Sequence, residues 1–101
     1  MMFRNRGNAK KQNDSSVNEQ IIPLTSLNEE EKGIIHSAAG GFGLVRRLAE
    51  MGLTPGVEVK MLRKGPFHGP VEIEVRGVAL ALGFGVASKI FVKPLKAEAN
   101  A

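Results

Sequence analysis

Three groups of side chains in this sequence have the chemistry of a functional site: two histidines, a run of glutamates and a pair of arginines. His36 and His68 lie far apart in the chain and lack the short spacing of a built-in zinc site, so only a weak surface metal site at His68 with a carboxylate remains as a hypothesis. The glutamate run 29–31 is typical of a solvated turn, and no serine, histidine and aspartate have the spacing of a triad. The sequence therefore predicts no catalytic residues, no resident cofactor and no enzymatic activity.

Arg46 and Arg47 open the segment "RRLAEMGLTPGVEV" and admit two interpretations. As solvated charges, they would lie on the solvent-exposed face of a helix and cover apolar surface with the aliphatic part of their side chains. As binding residues, they would present guanidinium groups to a carboxylate on a partner, because the planar fork of arginine matches carboxylate geometry. The sequence alone leaves both interpretations open.

Two glycine-rich stretches, "GFGLVR" at 41–46 and "GFGVAS" at 83–88, have two of the three glycines of a dinucleotide-binding fingerprint. Both lack the third glycine and the βαβ surroundings that give the pattern its meaning, so they predict tight turns. A Walker A sequence is also absent, which excludes nucleotide hydrolysis by that route.

The composition predicts a single small domain in the cytoplasm. The chain has 101 residues, no cysteine and 43% hydrophobic residues, so thiol chemistry is excluded and a reducing compartment is favoured. No apolar run approaches the roughly 20 residues that span a bilayer, so no direct membrane span is expected. The net charge of +4 lacks the dense basic stripe and stacking aromatics of a nucleic-acid-binding protein, so no nucleic acid partner is predicted.

Polarity divides the chain into three parts. Residues 1–20 are polar, rich in asparagine and serine, and without periodicity, which predicts a disordered N-terminal extension. Residues 96–101 are similar and are expected to form a disordered tail. The folded unit is therefore predicted to span residues 21–95.

Within that unit, apolar residues mostly follow the period of two that is typical of strands. Residues 57–61 and 71–75 both alternate in this way, and together they predict a hairpin. The connecting loop "KGPFHGP" is too long for a two-residue turn, and its prolines cannot donate to the ladder. Further strands at 33–38, 78–82 and 90–92 complete a mainly β fold of five to six short strands.

One short α-helix is predicted after the second strand, over about residues 43–51. Leu44, Leu48 and Met51 are spaced at i, i+4 and i+7, with Val45 beside them, which gives one apolar stripe. The arginine pair then falls largely on the other side of the helix.

The end of this helix has its own signals. Gly52 suits the position after the last turn, where φ is positive, and Leu53 can contact that turn. Pro55 and Gly56 suit a type II turn into the next strand. The helix is therefore expected to end abruptly and to cap one end of a small barrel.

The order of these elements from Pro23 to Leu95 resembles the FeoA family, small cytoplasmic proteins that accompany the FeoB ferrous-iron permease of bacteria. The helix and its end carry the most diagnostic part of the resemblance, "GLTPG" at 52–56. The other matching pieces are Leu27 with 33–35, Gly40-Gly41, Gly65-Pro66 in the hairpin loop, "PVEIEVRG" at 70–77, "LAL" at 80–82 and the closing stretch 90–92.

The resemblance implies an SH3-like β-barrel, often with a short helix before the last strand. The residues themselves predict no helix there. The sequence also departs from the family at this point, since "GFGV" stands at 83–86 where FeoA-like chains tend to have arginine and acidic residues. The resemblance also implies a non-catalytic accessory protein of ferrous-iron uptake that binds the cytoplasmic part of a FeoB-like permease. The same barrel occurs at the C-terminus of DtxR-like repressors, so the alternative is a transition-metal-binding or metal-sensing domain, which would bind Fe2+ or another divalent metal weakly.

The candidate partner-binding residues lie near the helix and in the hairpin loop. Arg46 and Arg47 offer charge on a short helix, and Leu53 stands at its end. Phe67 lies between two prolines in the loop, where a phenylalanine serves either as a contact for a partner or as a lid on the barrel. These four residues form the predicted interaction site.

Overall fold

The structure, a computed structural model, describes residues 20–95 of the 101-residue chain. Residues 1–20 and 96–101, which are predicted to be disordered, therefore lie outside the described residues, except for Gln20. The elements in chain order are β1 (Ile22–Pro23), a 3-10 turn (Leu24–Ser26), β2 (Lys32–Ala38), α1 (Phe42–Glu50), β3 (Glu58–Lys64), β4 (Val71–Val75), β5 (Val78–Leu82), α2 (Phe84–Ala87) and β6 (Ile90–Pro94).

The six strands form one antiparallel sheet in the order β1-β6-β2-β3-β4-β5. This arrangement confirms the predicted mainly β, SH3-like fold with a helix after the second strand. The register shifts between Ile35 and Ser37 in the pairing of β2 with β6, and between Met61 and Arg63 in the pairing of β3 with β4. Such irregularities bend strands and increase their twist, which helps a sheet of short strands to curl around its core.

The core is built from branched aliphatic side chains with one methionine. On β4, Val71, Ile73 and Val75 are buried while the intervening Glu72 and Glu74 are half-buried, which confirms the predicted period of two. None of the phenylalanines among residues 20–95 is buried. The buried hydrophobic residues are Leu24, Leu27, Ile35, Leu48, Leu53, Val59, Met61, Val71, Ile73, Val75, Leu82, Ala87, Ile90 and Val92.

The predicted end of the helix is confirmed in detail. Gly52 has φ +86, and its N–H donates to the carbonyl of Ala49 at 2.9 Å. The N–H of Leu53 donates to the carbonyl of Leu48 at 2.8 Å. These two bonds form a Schellman motif, which satisfies carbonyls at the helix end and reverses the chain within two residues.

The next turn also follows the prediction. Gly56 has φ +94, and the N–H of Val57 donates to the carbonyl of Thr54 at 3.1 Å. Positive φ at the third position with proline at the second is the pattern of a type II turn. The two turns in succession lead α1 directly into β3.

Two expectations about helices need correction. Of the predicted apolar stripe on α1 only Leu48 is buried, whereas Leu44 is half-buried and Met51 is 38% exposed. The short helix α2, which residue patterns did not predict but the family resemblance implied, is present at 84–87. It forms because the Ala87 N–H donates to Gly83 O at 2.9 Å and because Ala87 is fully buried, so packing outweighs the low helix propensity of glycine.

Among residues 20–95, neither helix has the length and apolar character needed to cross a membrane.

Candidate functional site

The two arginines of α1 have different surroundings. Arg46 forms an i,i+4 ion pair with Glu50, with Nε 3.9 Å from Oε2 and both side chains about two-thirds exposed (69% and 67%). Exposed helix pairs of this kind contribute only about 0.3–0.5 kcal/mol. Arg46 therefore remains accessible, but an acidic neighbour already offsets part of its charge.

Arg47 lies on a different part of the helix surface. It lines a cleft of about 150 Å³ between α1 and the end of β5, together with Met51, Ala81 and Val86. Within residues 20–95 no hydrogen bond or ion pair of its side chain is recorded. Of the two arginines, Arg47 is thus the one that combines a charge with an apolar cleft.

Leu53 is buried, with 4% of its surface exposed. It packs in the core beneath α1 and lines the inner side of a groove with Leu48 and Ile35. Its side chain anchors the helix end to the barrel and offers little surface of its own to a partner. Of the four predicted site residues, Leu53 thus lies in the core.

A second apolar face of α1 was not predicted. Phe42 is 80% exposed and Val45 is 44% exposed, and Ala49 completes the i, i+3, i+7 spacing of one helix face. Val45 and Ala49 line a groove of about 110 Å³ that also includes Pro55. The signal was present in the sequence, since Phe42, Val45 and Ala49 also have helical spacing, although Val45 was assigned to the stripe facing the core.

The hairpin loop between β3 and β4 ends in a tight turn. The N–H of Gly69 donates to the carbonyl of Pro66 at 2.9 Å, and the two residues between them, Phe67 and His68, have φ +55 and +59. Two central residues with positive φ are characteristic of the type I′ turn, which usually contains asparagine or glycine. The connection between the two strands spans residues 65–70 and is longer than a two-residue turn, as predicted, but a two-residue turn is formed at its tip.

Two glycines bring the sides of this loop together. The N–H of Gly65 donates to the carbonyl of Pro70 at 2.8 Å. A Cβ on Gly65 would lie 2.8 Å from the Pro70 carbonyl oxygen, and one on Gly69 would lie 2.9 Å from the Pro66 oxygen. Because these contacts are with backbone atoms, glycine is required at both positions. The two sides of the loop are therefore close together and hydrogen-bonded just before the turn.

The two side chains at the tip are placed differently: Phe67 points into solvent and His68 packs against α2. Phe67 is 99% exposed, so it is not a lid on the barrel. The ring of His68 stacks on Phe84 of α2, with centroids 4.4 Å apart and planes 15° apart. A cleft of about 430 Å³ between tip and barrel includes Phe67, Phe84 and Lys64, and Lys64 Nζ donates to the carbonyl of Thr25 at 3.1 Å.

The short helix α2 connects the hairpin tip with α1. Phe84, at its start, lies in the cleft of the tip, and Val86 lies in the cleft that contains Arg47. The two clefts therefore share α2 as a wall, and we call Phe67, His68, Phe84, Val86 and Arg47 together the tip-and-helix surface. Of the four predicted site residues, it includes Phe67 and Arg47, with Arg46 beside it and Leu53 beneath α1.

The two histidines take part in no metal-ligand cluster within the described part of the chain. His36 is exposed on β2, with Nδ1 3.0 Å from Ser37 Oγ, and His68 is stacked on a phenylalanine. No group of three or more histidine, cysteine, aspartate or glutamate side chains among residues 20–95 is placed to hold a metal ion.

Comparison with known proteins identifies the domain. Residues 22–94 match the family model described as FeoA domain. Over 73 residues the chain is 37% identical to a curated protein of Methanocaldococcus jannaschii that bears the name of an Fe(2+) transport protein A. That match covers 72% of this chain and 87% of the relative.

Solved structures extend the comparison to the fold. A crystal structure of an iron uptake regulatory protein (FeoA) superposes with a TM-score of 0.70 and 37% identity, covering 75% of this chain and 100% of that chain. A manganese-dependent transcriptional repressor superposes with a TM-score of 0.68 at 18% identity, covering 74% of this chain and 42% of the repressor. At that identity the second likeness shows the fold alone.

Proposed function

This chain belongs to the FeoA domain family, and we propose that it is a non-catalytic accessory protein of ferrous-iron uptake that binds the cytoplasmic part of a FeoB-like permease. The family membership and the relative named for Fe(2+) transport support the iron-uptake role. In this proposal the protein acts in the cytoplasm, and its contribution is a binding surface for another protein.

The observation that carries the binding role is the hairpin tip. Phe67 is 99% exposed on a turn held by hydrogen bonds between the two sides of the loop. Exposed aromatic side chains on a rigid support lose little conformational freedom on binding, and they are frequent anchors at protein interfaces. Phe67 therefore suits insertion into an apolar pocket of the permease.

Arg47, which lines the second cleft beside α2, would supply specificity. Its guanidinium group stands beside an apolar cleft, where a carboxylate of the partner would be partly shielded from water on binding. A hydrogen bond to a charged group contributes about 1.5–3 kcal/mol under such conditions. Arg46 is the weaker candidate, because Glu50 already pairs with it.

The test measures affinity for the purified cytoplasmic part of the cognate permease by isothermal titration calorimetry. Arg47→Glu is expected to weaken binding roughly ten- to hundredfold, as is Phe67→Ala. Replacing both Arg46 and Arg47 with glutamate is expected to weaken it at least as much. Arg76→Glu is the matched control, because it makes the same charge change in a different cleft, one lined by Lys32 and Lys60, and is expected to leave the affinity within about twofold.

Two results would contradict the proposal. Full-strength binding by well-folded Arg47→Glu and Phe67→Ala variants would place the binding surface elsewhere, and an equal loss with Arg76→Glu would mean that overall charge, not the site, controls the affinity. Titration with Fe(II) addresses the metal-sensing alternative, which requires saturable shifts of the amides near His36 or His68. The accessory role requires no such shifts.

A further inference from the structure

The strand β5 is an edge of the sheet without a charged side chain, a proline or a bulge, and α1 lies beside its Ala81–Leu82 end across the cleft that contains Arg47. The strand order ends at β5, so within residues 20–95 no strand pairs with its outer side. Its sequence, "VALAL", contains no charge and no proline, and its register with β4 runs without a bulge. Natural edge strands usually carry one of these features, because an open edge is a template for another strand.

The register determines which backbone groups are free. β4 and β5 are joined by Arg76 and Gly77, both with positive φ (+53 and +82), and Val75 pairs with Val78. In a hairpin with a two-residue turn the flanking pair is hydrogen-bonded, and the pairs then alternate along the strands. The N–H and C=O groups of Ala79 and Ala81 therefore point away from β4, toward the open side.

We infer that a second copy of this chain pairs with this edge, antiparallel and centred on Leu80. Ala79 of one copy then stands opposite Ala81 of the other, twice by symmetry, and each pair exchanges both of its N–H···O bonds. The bonding groups that β5 directs outward are the ones that this two-fold register requires, so the edge is complementary to itself.

The side chains fit the same register. Val78, Leu80 and Leu82 lie on one face of β5, and the two alanines lie on the other. In the symmetric pair, large residues stand opposite large ones and alanine stands opposite alanine. Val78, which is 57% exposed in the single chain, would stand opposite Leu82 of the second copy, whose own side chain stays in its core.

Charge also favours a second copy over a charged peptide. β5 brings no like charges together, because it has no ionisable side chain. The nearest carboxylates on the alanine face are Glu72 and Glu74 of β4, opposite Ala81 and Ala79. In the paired sheet the glutamates of the two copies would be three strand spacings apart, about 14 Å, beyond the Debye length of about 8 Å at physiological salt.

The pairing is tested by sedimentation equilibrium of the full-length chain. A five-residue strand pair buries less than a standard interface, so we expect a dissociation constant of roughly 10 μM to 1 mM. The average mass should rise with concentration from 10.8 kDa toward twice that value. A mass that stays at 10.8 kDa up to about 1 mM would overturn the inference.

Variants at the two alanines test the register. In A79K/A81K the new side chains would face each other across the interface, so the dissociation constant should rise roughly tenfold or more. In A79K/A81E opposite charges would face each other and association should return. Ala81→Pro removes an outward N–H without breaking the ladder with β4 and should also abolish association.

Thermal unfolding of each variant, followed by circular dichroism, checks that it is folded. Glu72 and Glu74 stand opposite the two lysines in A79K/A81K, so this variant has internal charge pairs that preserve its fold. Undiminished association of folded A79K/A81K and Ala81→Pro would place the contact between copies elsewhere and overturn the inference.

Discussion

The end of α1 and the tip of the β3–β4 hairpin both contain left-handed backbone, but the residues there are of opposite kinds. At the end of α1 the residue with positive φ is Gly52, and a Cβ placed on it meets no heavy atom of the described chain within 4 Å. At the tip, Phe67 and His68 both have positive φ. Both turns are tight and hydrogen-bonded, so the difference lies in the side chains.

This difference separates a turn adapted for stability from one that carries strain. Glycine adopts positive φ without steric cost, whereas other residues lose roughly 1–2 kcal/mol there. At the tip that cost is accompanied by an exposed phenylalanine and by a stacked histidine that contacts α2. Strained residues of this kind often cluster at functional sites, which is why we place the binding anchor at the tip and not at the helix end.

The largest predicted effect is at the helix end. Gly52→Ala should lower the free energy of unfolding by about 1 kcal/mol, and Gly52→Val by about 2 kcal/mol, because β-branched side chains tolerate positive φ least. Urea unfolding monitored by circular dichroism measures both. An unchanged midpoint for Gly52→Val would remove the claim that the helix end depends on glycine.

A smaller effect of opposite sign is predicted at the tip. Phe67→Gly should raise the free energy of unfolding by up to about 1 kcal/mol, because it relieves the strain and removes no buried surface. The matched control is Phe42→Gly, which removes another exposed phenylalanine from helical backbone and should be neutral or destabilising. If Phe67→Gly destabilises as much as the control does, the tip is not strained.

The smallest effect is expected from deletion of residues 1–20. Their composition is too polar to repay the entropy of ordering, so the contrast between the two turns should be a property of residues 21–95 alone. The amide spectrum of the shortened chain should superimpose on that of the full chain. Widespread shifts across the barrel would show that the N-terminal segment packs against it.

Much of the fold could be predicted because local patterns and tertiary packing agree. The alternation on β4 and the "GLTPG" segment specify their structures almost independently of the rest of the chain. The short helix α2 could not be predicted in this way, because it depends on burying Ala87 in the core. The local pattern of "GFGV" carries no information about the burial of Ala87, so it does not predict the helix.

The site was harder to predict than the fold. Arg47 and Phe67 could be named from residue type, but their exposure and neighbours depend on how α2 and the hairpin meet. Leu53 was named as a partner contact because it stands at the end of the helix, yet the residue after the Schellman glycine is buried in the core. Phe42 was overlooked, and Val45 was assigned to the apolar stripe facing the core although it is 44% exposed.

The most direct test of the proposed binding surface is an amide chemical-shift titration of the labelled full-length chain with the cytoplasmic part of the cognate permease. We predict the largest shifts at the hairpin tip 65–70, at α2 and at the last turn of α1 around Arg47. The matched control titration with Fe(II) should leave these amides unchanged. Saturable binding whose shifts fall outside these three segments would contradict the account, as would the absence of any shift at saturating permease.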